Sequence, residues 1–524
     1  MGLDTSSNEP SGIRARFRSV LPSDRFGDQL AILSGTSQNI AGLAIYVVVS
    51  LGTNVLISRV LGASALGVVT LATQFAFVAG AATRFGMDAA TVRQVAIDVG
   101  GGRAERVRSV MTRAAAIAGS ASVLAGLLVF LGAGILAKTF GVPTSQGRGV
   151  FQAAALALPF VSLCQVYLGG TQGLKIMRYT VGIFWAGQPA AWIVLMALGW
   201  IAARTLGMSV LAYALSWVVA TAAAWFAWER STRSFGRARG DAGETRALVR
   251  YGVPRVPAAL LAQLLFWTDF FVVSRYVTKA DLGVYAAAVR VAQALVLFLI
   301  AVNYMFSPFV ADLHARGERE RLDGLYKTLT RWMVAGSLPI LLVLLILPGP
   351  VLSVFGGRFA TGAAALRILL IGQSVNVATG SVGYILLMVG RTGWDLAVYA
   401  GSFLLDLGAA FLLAPHLHTN GAAIAQALTL SASNAVRLYL VWRFVHIQPF
   451  NRKYARLAIP AIAGGLVMLG THLALRHASW PVDLAASAAL GGVVYGTVLL
   501  AAGLTPTERA TLRRVAGPAR RRAL

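Results

Sequence analysis

Cysteine is almost absent: the 524 residues hold one, Cys164. No disulfide can close within the chain, and a lone cysteine inside an apolar block behaves as a small apolar residue. Charge is scarce too. Only 13% of residues are charged and only 20 are acidic, whereas soluble domains carry about 25% charged residues. So little polar material cannot coat a soluble surface of this size. There is no phosphate-binding glycine loop, dinucleotide fingerprint or zinc-protease signature, and the polar links are too short to hold an ATPase domain. His416 and His418 have no carboxylate or cysteine beside them. No metal site and no enzyme chemistry are therefore expected, and no cofactor other than a coupling ion. The first 30 or so residues are polar and include Arg14, Arg16, Arg18 and Arg25. They lack the apolar core of a cleavable signal peptide.

What the chain has in quantity is apolar length. Hydrophobic residues make up 57% of it. They come in blocks of about 20 or more, long enough to cross a hydrocarbon core of about 30 Å as helices. Lipid offers no partner to backbone polar groups, so such blocks read as helices. A membrane barrel would alternate every second residue, and Ala286–Ile300 and Leu338–Leu347 do not. The expected fold is all-α integral membrane, with about 14 transmembrane helices. These fall near 35–58, 66–90, 112–137, 151–173, 181–203, 207–229, 250–275, 282–305, 332–355, 363–389, 394–414, 420–443, 455–476 and 481–504.

The formal net charge is +26. On a soluble protein that excess would suggest nucleic acid. Here most basic residues lie in short links between apolar blocks, which is a topology signal, and no nucleic-acid partner is expected. With the N-terminus inside, the inner segments hold 33 Lys and Arg and the outer ones 8. Both termini are thus expected in the cytoplasm.

The sequence repeats itself. Ser58-Arg59-Val60-Leu61-Gly62, followed by Leu66-Gly67-Val68, recurs 216 residues later as Ser274-Arg275-Tyr276-Val277-Thr278, followed by Leu282-Gly283-Val284. The same offset takes Lys175 onto Arg391, and Gly207 pairs with Gly421 after a loss of two residues. The offset covers six spans, an even number, so both copies enter from the same side. Two six-helix bundles related by a pseudo-two-fold axis along the membrane normal are expected, plus two C-terminal helices. Transporters built from parallel repeats bind substrate between their halves. The resulting organisation is a cytoplasmic tail at 1–33, a bundle at 34–230, a basic linker at 231–249, a second bundle at 250–445, two further spans at 446–505 and a basic tail at 506–524.

The stretch from Ser58 through Leu66-Gly67-Val68-Val69-Thr70-Leu71-Ala72 resembles the first-loop signature of polysaccharide flippases. These belong to the multidrug/oligosaccharidyl-lipid/polysaccharide exporter superfamily. Leu366-Arg367-Ile368-Leu369, Gly390-Arg391 and Asn420-Gly421-Ala422-Ala423-Ile424-Ala425 are similar to that family's C-terminal half. The resemblance covers about 35–445. It implies a central V-shaped cavity between the bundles and an undecaprenyl-pyrophosphate-linked oligosaccharide as cargo. It also implies a bacterial-type inner membrane and work beside polysaccharide polymerase and glycosyltransferases. Alternatives within the superfamily are a peptidoglycan lipid-precursor flippase and a cation-coupled multidrug exporter.

Charge inside a span costs about 2.5–3.5 kcal/mol and needs a reason. Five arginines qualify: Arg84, Arg255, Arg290, Arg367 and Arg437. Together they would form a ladder of cations for a pyrophosphate, whose oxygens suit a guanidinium. Plainer readings stand beside this one. Arg84 and Asp88 are spaced i,i+4 and can pair. Arg255 and Arg437 can reach inner headgroups, and Arg367 outer ones. Arg290 is too deep for that, and its repeat counterpart is the neutral Gln74. Asp269 and Asp406 are the deepest acids; each either pairs with an arginine or carries a coupling Na⁺ or H⁺. Asn39, Gln74, Asn303 and Asn376 can touch sugars or bond between helices.

The charge count yields a direct test of topology. A cysteine replacing Arg237, in the basic linker, should resist an impermeant thiol reagent added outside intact cells and react once the membrane is permeabilised. Labelling from outside would invert the topology.

Overall fold

A computed structural model describes residues 45–236, 242–504 and Glu508. Asn39, most of the N-terminal tail, linker residues 237–241 and nearly all of the C-terminal tail lie outside the described residues. The described residues form helices and connecting turns, with no strand among them. Among the described residues ten helices are long and apolar enough to cross a membrane, and a shorter apolar one, Ile45–Leu61 (α1), precedes them. The protein is a multi-pass membrane protein.

The first half runs through α2 (Ala63–Thr83), α3 (Met87–Gly100), α4 (Val107–Leu131) and α5 (Ala133–Thr139) to α6 (Thr144–Gly173). A π-helical stretch, Thr180–Gly187, then leads into α7 (Gln188–Ala202), and α8 (Leu206–Ser231) closes the half. The hub is α6, which packs against α2, α3, α4, α5 and α8. The linker helix α9 (Ala242–Gly252) docks on α3 and α4 of this same half.

The second half is more broken. The stretch 250–275 is split into α10 (Val256–Leu264) and α11 (Thr268–Val273). Two prolines, Pro254 and Pro257, remove backbone donors at its start. At the break, the Thr268 hydroxyl donates to the Leu264 carbonyl at 2.8 Å, a back-bond that bends helices. Next come α12 (Lys279–Gln293), α13 (Leu297–Ala315), α14 (Arg319–Ile346), α15 (Pro348–Ser353), α16 (Ala363–Thr379) and α17 (Val382–Met388). Helix α18 (Thr392–Val445) doubles back at His418, whose φ is 53° and ψ −129°. Pro415 cannot donate the bond that would carry the first arm onward. The arms then pass so closely that a Cβ on Gly421 would lie 2.4 Å from the Leu413 carbonyl oxygen. The hub here is α18, which packs against α10, α11, α16 and α17.

The last two helices, α19 (Ala458–Ala474) and α20 (Trp480–Val498), pack on each other and on α14. The Tyr495 hydroxyl donates to the Ala335 carbonyl at 2.6 Å. Beyond α20, Glu508 pairs with the buried Arg331 of α14 and accepts from Trp332 at 3.1 Å. The two extra spans are therefore anchored to the second half.

The buried core is forked. One cluster joins the halves, with Leu66, Leu71 and Phe151 from the first meeting Tyr285, Phe270 and Phe355 from the second. Toward the end bearing the basic links it divides. Met87, Met111 and Trp228 belong to one branch and Phe306, Tyr326 and Val441 to another. The halves are thus joined at the end that the charge count puts outside and separate toward the inside.

The α18 hairpin supports a test. Gly421→Ala should destabilise the purified protein by about 1–3 kcal/mol, the usual cost of forcing atoms into a filled site. Gly408→Ala, in the same helix with nothing within 4 Å of a new Cβ, should leave thermal unfolding unchanged. Equal melting temperatures for the two variants would refute the hairpin contact.

Candidate transport site

The helix break between α10 and α11 builds the middle of the second half. It turns Trp267 inward, where the indole is almost wholly buried. The Arg290 guanidinium, from α12, lies over that ring at 4.9 Å. Arg290 Nε is buried without a hydrogen-bond partner, and no carboxylate pairs with this side chain among the described residues. A cation over an aromatic face gains about 0.5–2 kcal/mol, and that attraction holds the guanidinium while leaving its donors free.

Asp269 lies two residues past Trp267 and is fully buried. It accepts from the Tyr285 hydroxyl and, at 3.5 Å, from Gln426 Nε2. Asp406, on the first arm of α18, is also fully buried, and neither of its carboxylate oxygens has a hydrogen-bond partner. Its charged neighbour is Asp269. Thr429 Oγ1, on the second arm, is buried and unpartnered as well. The two acids thus face each other among Tyr285, Gln426 and Thr429. The expectation that each acid pairs with an arginine is not met among the described residues, where Asp269 bonds to Tyr285 and Gln426 and the charged group beside Asp406 is Asp269. Two carboxylates buried side by side repel each other and have lost their hydration. Such a cluster requires a positive charge, and its oxygen donors suit a proton or a hard cation such as Na⁺.

The other arginines do not join Arg290 in a continuous ladder. Arg84 lies 3.5 Å from Asp88, pairing across the turn between α2 and α3. Arg255 is exposed, donates to the Tyr251 hydroxyl at 3.0 Å and stacks on that ring. Arg367 is exposed and donates to the Leu345 carbonyl at 3.2 Å. Arg437 is only 6% exposed; it lies 3.5 Å from Asp395 and over the Tyr399 ring at 4.6 Å. Four of the five therefore have polar partners, and Arg290 has none.

The amides differ among themselves. Gln74 on α2 is half-buried and makes no side-chain hydrogen bond. Asn303 is buried with its Oδ1 unpartnered. Asn376 bonds to Gln373 at 3.4 Å within its own helix. Trp267, Tyr285, Gln426 and Thr429 were not anticipated. The available signal was polar spacing: Gln426 and Thr429 are an i,i+3 pair in an apolar span. Among the described residues no group of three or more His, Cys, Asp and Glu could hold a metal.

The family model described as "Polysaccharide biosynthesis protein" matches residues 56–361, more than half of the chain. The chain belongs to this family. A curated relative, the probable low-salt glycan biosynthesis flippase Agl15 of Haloferax volcanii, is 23% identical over 226 residues, 42% of this chain and 47% of the relative. The chain thus spans about half the length of the curated relative it matches. Among solved structures, the lipid II flippase MurJ in its inward closed conformation aligns with a TM-score of 0.69 at 13% identity, covering 88% of this chain and 97% of that one. An inward-facing multidrug resistance MATE family transporter of the MOP superfamily aligns at 0.66 and 14% identity, covering 77% and 94%. The fold of this family member is therefore the MATE and MurJ fold.

Cation demand at the acidic pair is measurable on the purified protein. Exchanging choline for Na⁺, or lowering the pH, should raise the melting temperature. Saturating a site to ten times its Kd adds about 1.4 kcal/mol. Asp406→Asn should abolish that increment, since a neutral amide removes the repulsion. An identical increment in wild type and variant would rule the pair out.

Proposed function

We propose that this family member is a flippase. It moves a polyprenyl-pyrophosphate-linked oligosaccharide, the repeat unit of a surface polysaccharide, from the cytoplasmic to the outer leaflet of a bacterial-type inner membrane by alternating access. The observation that carries the reading is Arg290. It is a guanidinium in the helix interior, held on the Trp267 ring by its face, with no carboxylate partner. An anionic headgroup gives such a group its reason to be there. The forked core supports alternating access, because halves closed on each other at one end and parted at the other form one of the two states such a cycle needs. Family membership supports a role in polysaccharide assembly, with a polymerase and glycosyltransferases working before and after it. Asp269 and Asp406 are the proposed seat of the coupling Na⁺ or H⁺.

The test uses polymer export. Deleting the protein should leave lipid-linked saccharide on the inner leaflet and cut export. Arg290→Lys should restore part of it, since charge persists while bidentate geometry is lost. Arg290→Gln, at matched membrane levels, removes a charged hydrogen bond of about 1.5–3 kcal/mol, a loss of roughly 10- to 150-fold. Full export from Arg290→Gln would end the pyrophosphate role of this arginine. Normal export with raised drug sensitivity in the deletion strain would favour a multidrug exporter, and a block in peptidoglycan synthesis the precursor flippase.

A further inference from the structure

The two copies of the repeated motif meet. A Cβ on Gly67 of α2 would lie 2.4 Å from the Lys279 carbonyl oxygen, and one on Gly283 of α12 would lie 1.8 Å from the Ala63 carbonyl oxygen. Gly283 is the counterpart of Gly67 at offset 216, and Lys279 is the counterpart of Ala63. Each glycine therefore touches the partner of the residue that touches the other, the signature of a two-fold contact. The axis relating the repeats passes between Gly67 and Gly283.

Polar bonds flank this crossing on both sides. Ser58 Oγ donates to the Phe355 carbonyl at 2.9 Å. Arg59 donates to the Val354 and Ser353 carbonyls at 2.9 and 2.8 Å. From the other half, Lys279 Nζ donates to the Phe140 carbonyl at 2.6 Å. Phe140-Gly141 and Phe355-Gly356 are related at an offset of 215, one residue short of the repeat, and each lies at the turn that ends a short helix. Thus each half offers a Phe-Gly turn whose carbonyl takes a donor from the opposite half. Near the other end the close approach is between the first half and the linker helix docked on it. There Gly86 meets Gly252, which ends the linker helix α9 and is not its repeat counterpart.

We propose that Gly67 and Gly283 are the closing surfaces of the outer gate, and that the Ser58, Arg59 and Lys279 bonds latch it. The proposal rests on the alternating-access reading above and names the residues that close its outer side. Backbone-to-backbone contact lets the halves seal without side chains that must be moved at each cycle. The latch bonds end on backbone carbonyls, which cannot be lost by mutation of the acceptor side chain. Seven residues beyond each glycine, two turns deeper on the same face, stand Gln74 and Arg290. The gate therefore closes two turns above Arg290, the one of the five intramembrane arginines with no polar partner among the described residues.

The experiment measures closure separately from transport. In a Cys164→Ala background, Ser58→Cys with Phe355→Cys places two thiols within reach of a short cleavable bis-maleimide in native membranes. Cross-linking should occur readily and should stop export until the linker is cleaved. Adding Gly67→Leu or Gly283→Leu should lower the cross-linked fraction by about tenfold, a population shift corresponding to 1.4 kcal/mol. Gly67→Ala and Gly283→Ala should have equal, smaller effects, as reciprocity demands. Gly134→Leu, with nothing within 4 Å of a new Cβ, should have none. Lys279→Met removes a latch bond without adding bulk, so it should lower cross-linking even if a leucine variant fails to insert. Undiminished cross-linking in membrane-inserted Gly283→Leu and in Lys279→Met would overturn the gate. So would an effect at one glycine alone. Reduced cross-linking with normal polymer export would leave the gate standing and sink the flippase reading instead.

Discussion

Two helices can bring their backbones into contact only where the crossing point carries no side chain, and in this protein that point is the meeting of Gly67 with Gly283. Much else follows from it. Because α2 and α12 touch there, the residues before the glycines are held where their donors reach the opposite half. Because the contact lies toward one end, the apolar core is continuous there and forks elsewhere. The residues two turns deeper are brought to the seam, and one of them is the cation. A single close approach thus sets where the halves join and where the core parts.

The placement of charge obeys the cost of burying it. Arg84, Arg331 and Arg437 are buried, and each has a carboxylate partner. Arg255 and Arg367 are exposed and use a tyrosine hydroxyl and a backbone carbonyl. Removing a partner from a buried ion costs about 3–5 kcal/mol, so pairing is the default wherever a charge serves only the fold. Arg290 and Asp406 depart from that default, and they lie within one half on helices that both border Asp269. One requires negative charge from elsewhere and the other requires positive charge. Each departure is what the proposed transport of an anion coupled to a cation would use.

The readable part of the sequence is the part set by periodicity and composition. Span positions follow from apolar length, since lipid leaves the backbone no other option than a helix. The repeat was legible because Ser58-Arg59 and Ser274-Arg275 keep their distance from Leu66-Gly67 and Leu282-Gly283. The pair of Arg84 and Asp88 was legible because only four positions separate them, although the structure joins them across a turn rather than along one helix. The rest needed tertiary structure. The partner of Arg437 is Asp395, 42 residues away on the other arm of the same hairpin, and no local spacing announces it. The break at Leu265–Trp267 falls in a short apolar run between Gln263 and Thr268, with no glycine or proline there to mark it. Asp269 and Asp406 look alike in sequence, and only packing distinguishes an acid with two donors from one with none.

The asymmetry between the halves is the last consequence of the repeat. An ancestral two-fold contact would place identical residues on either side of the axis. Here the contact residues remain paired, Gly67 with Gly283, because any side chain added to either would collide with backbone. Two turns deeper no such constraint acts, and the positions have become Gln74 and Arg290. On the proposed gate and flippase readings, closure constrains both halves equally, whereas binding an anion would need a cation in only one wall. The sequence therefore keeps its symmetry where the halves must touch and loses it where they face the space between them.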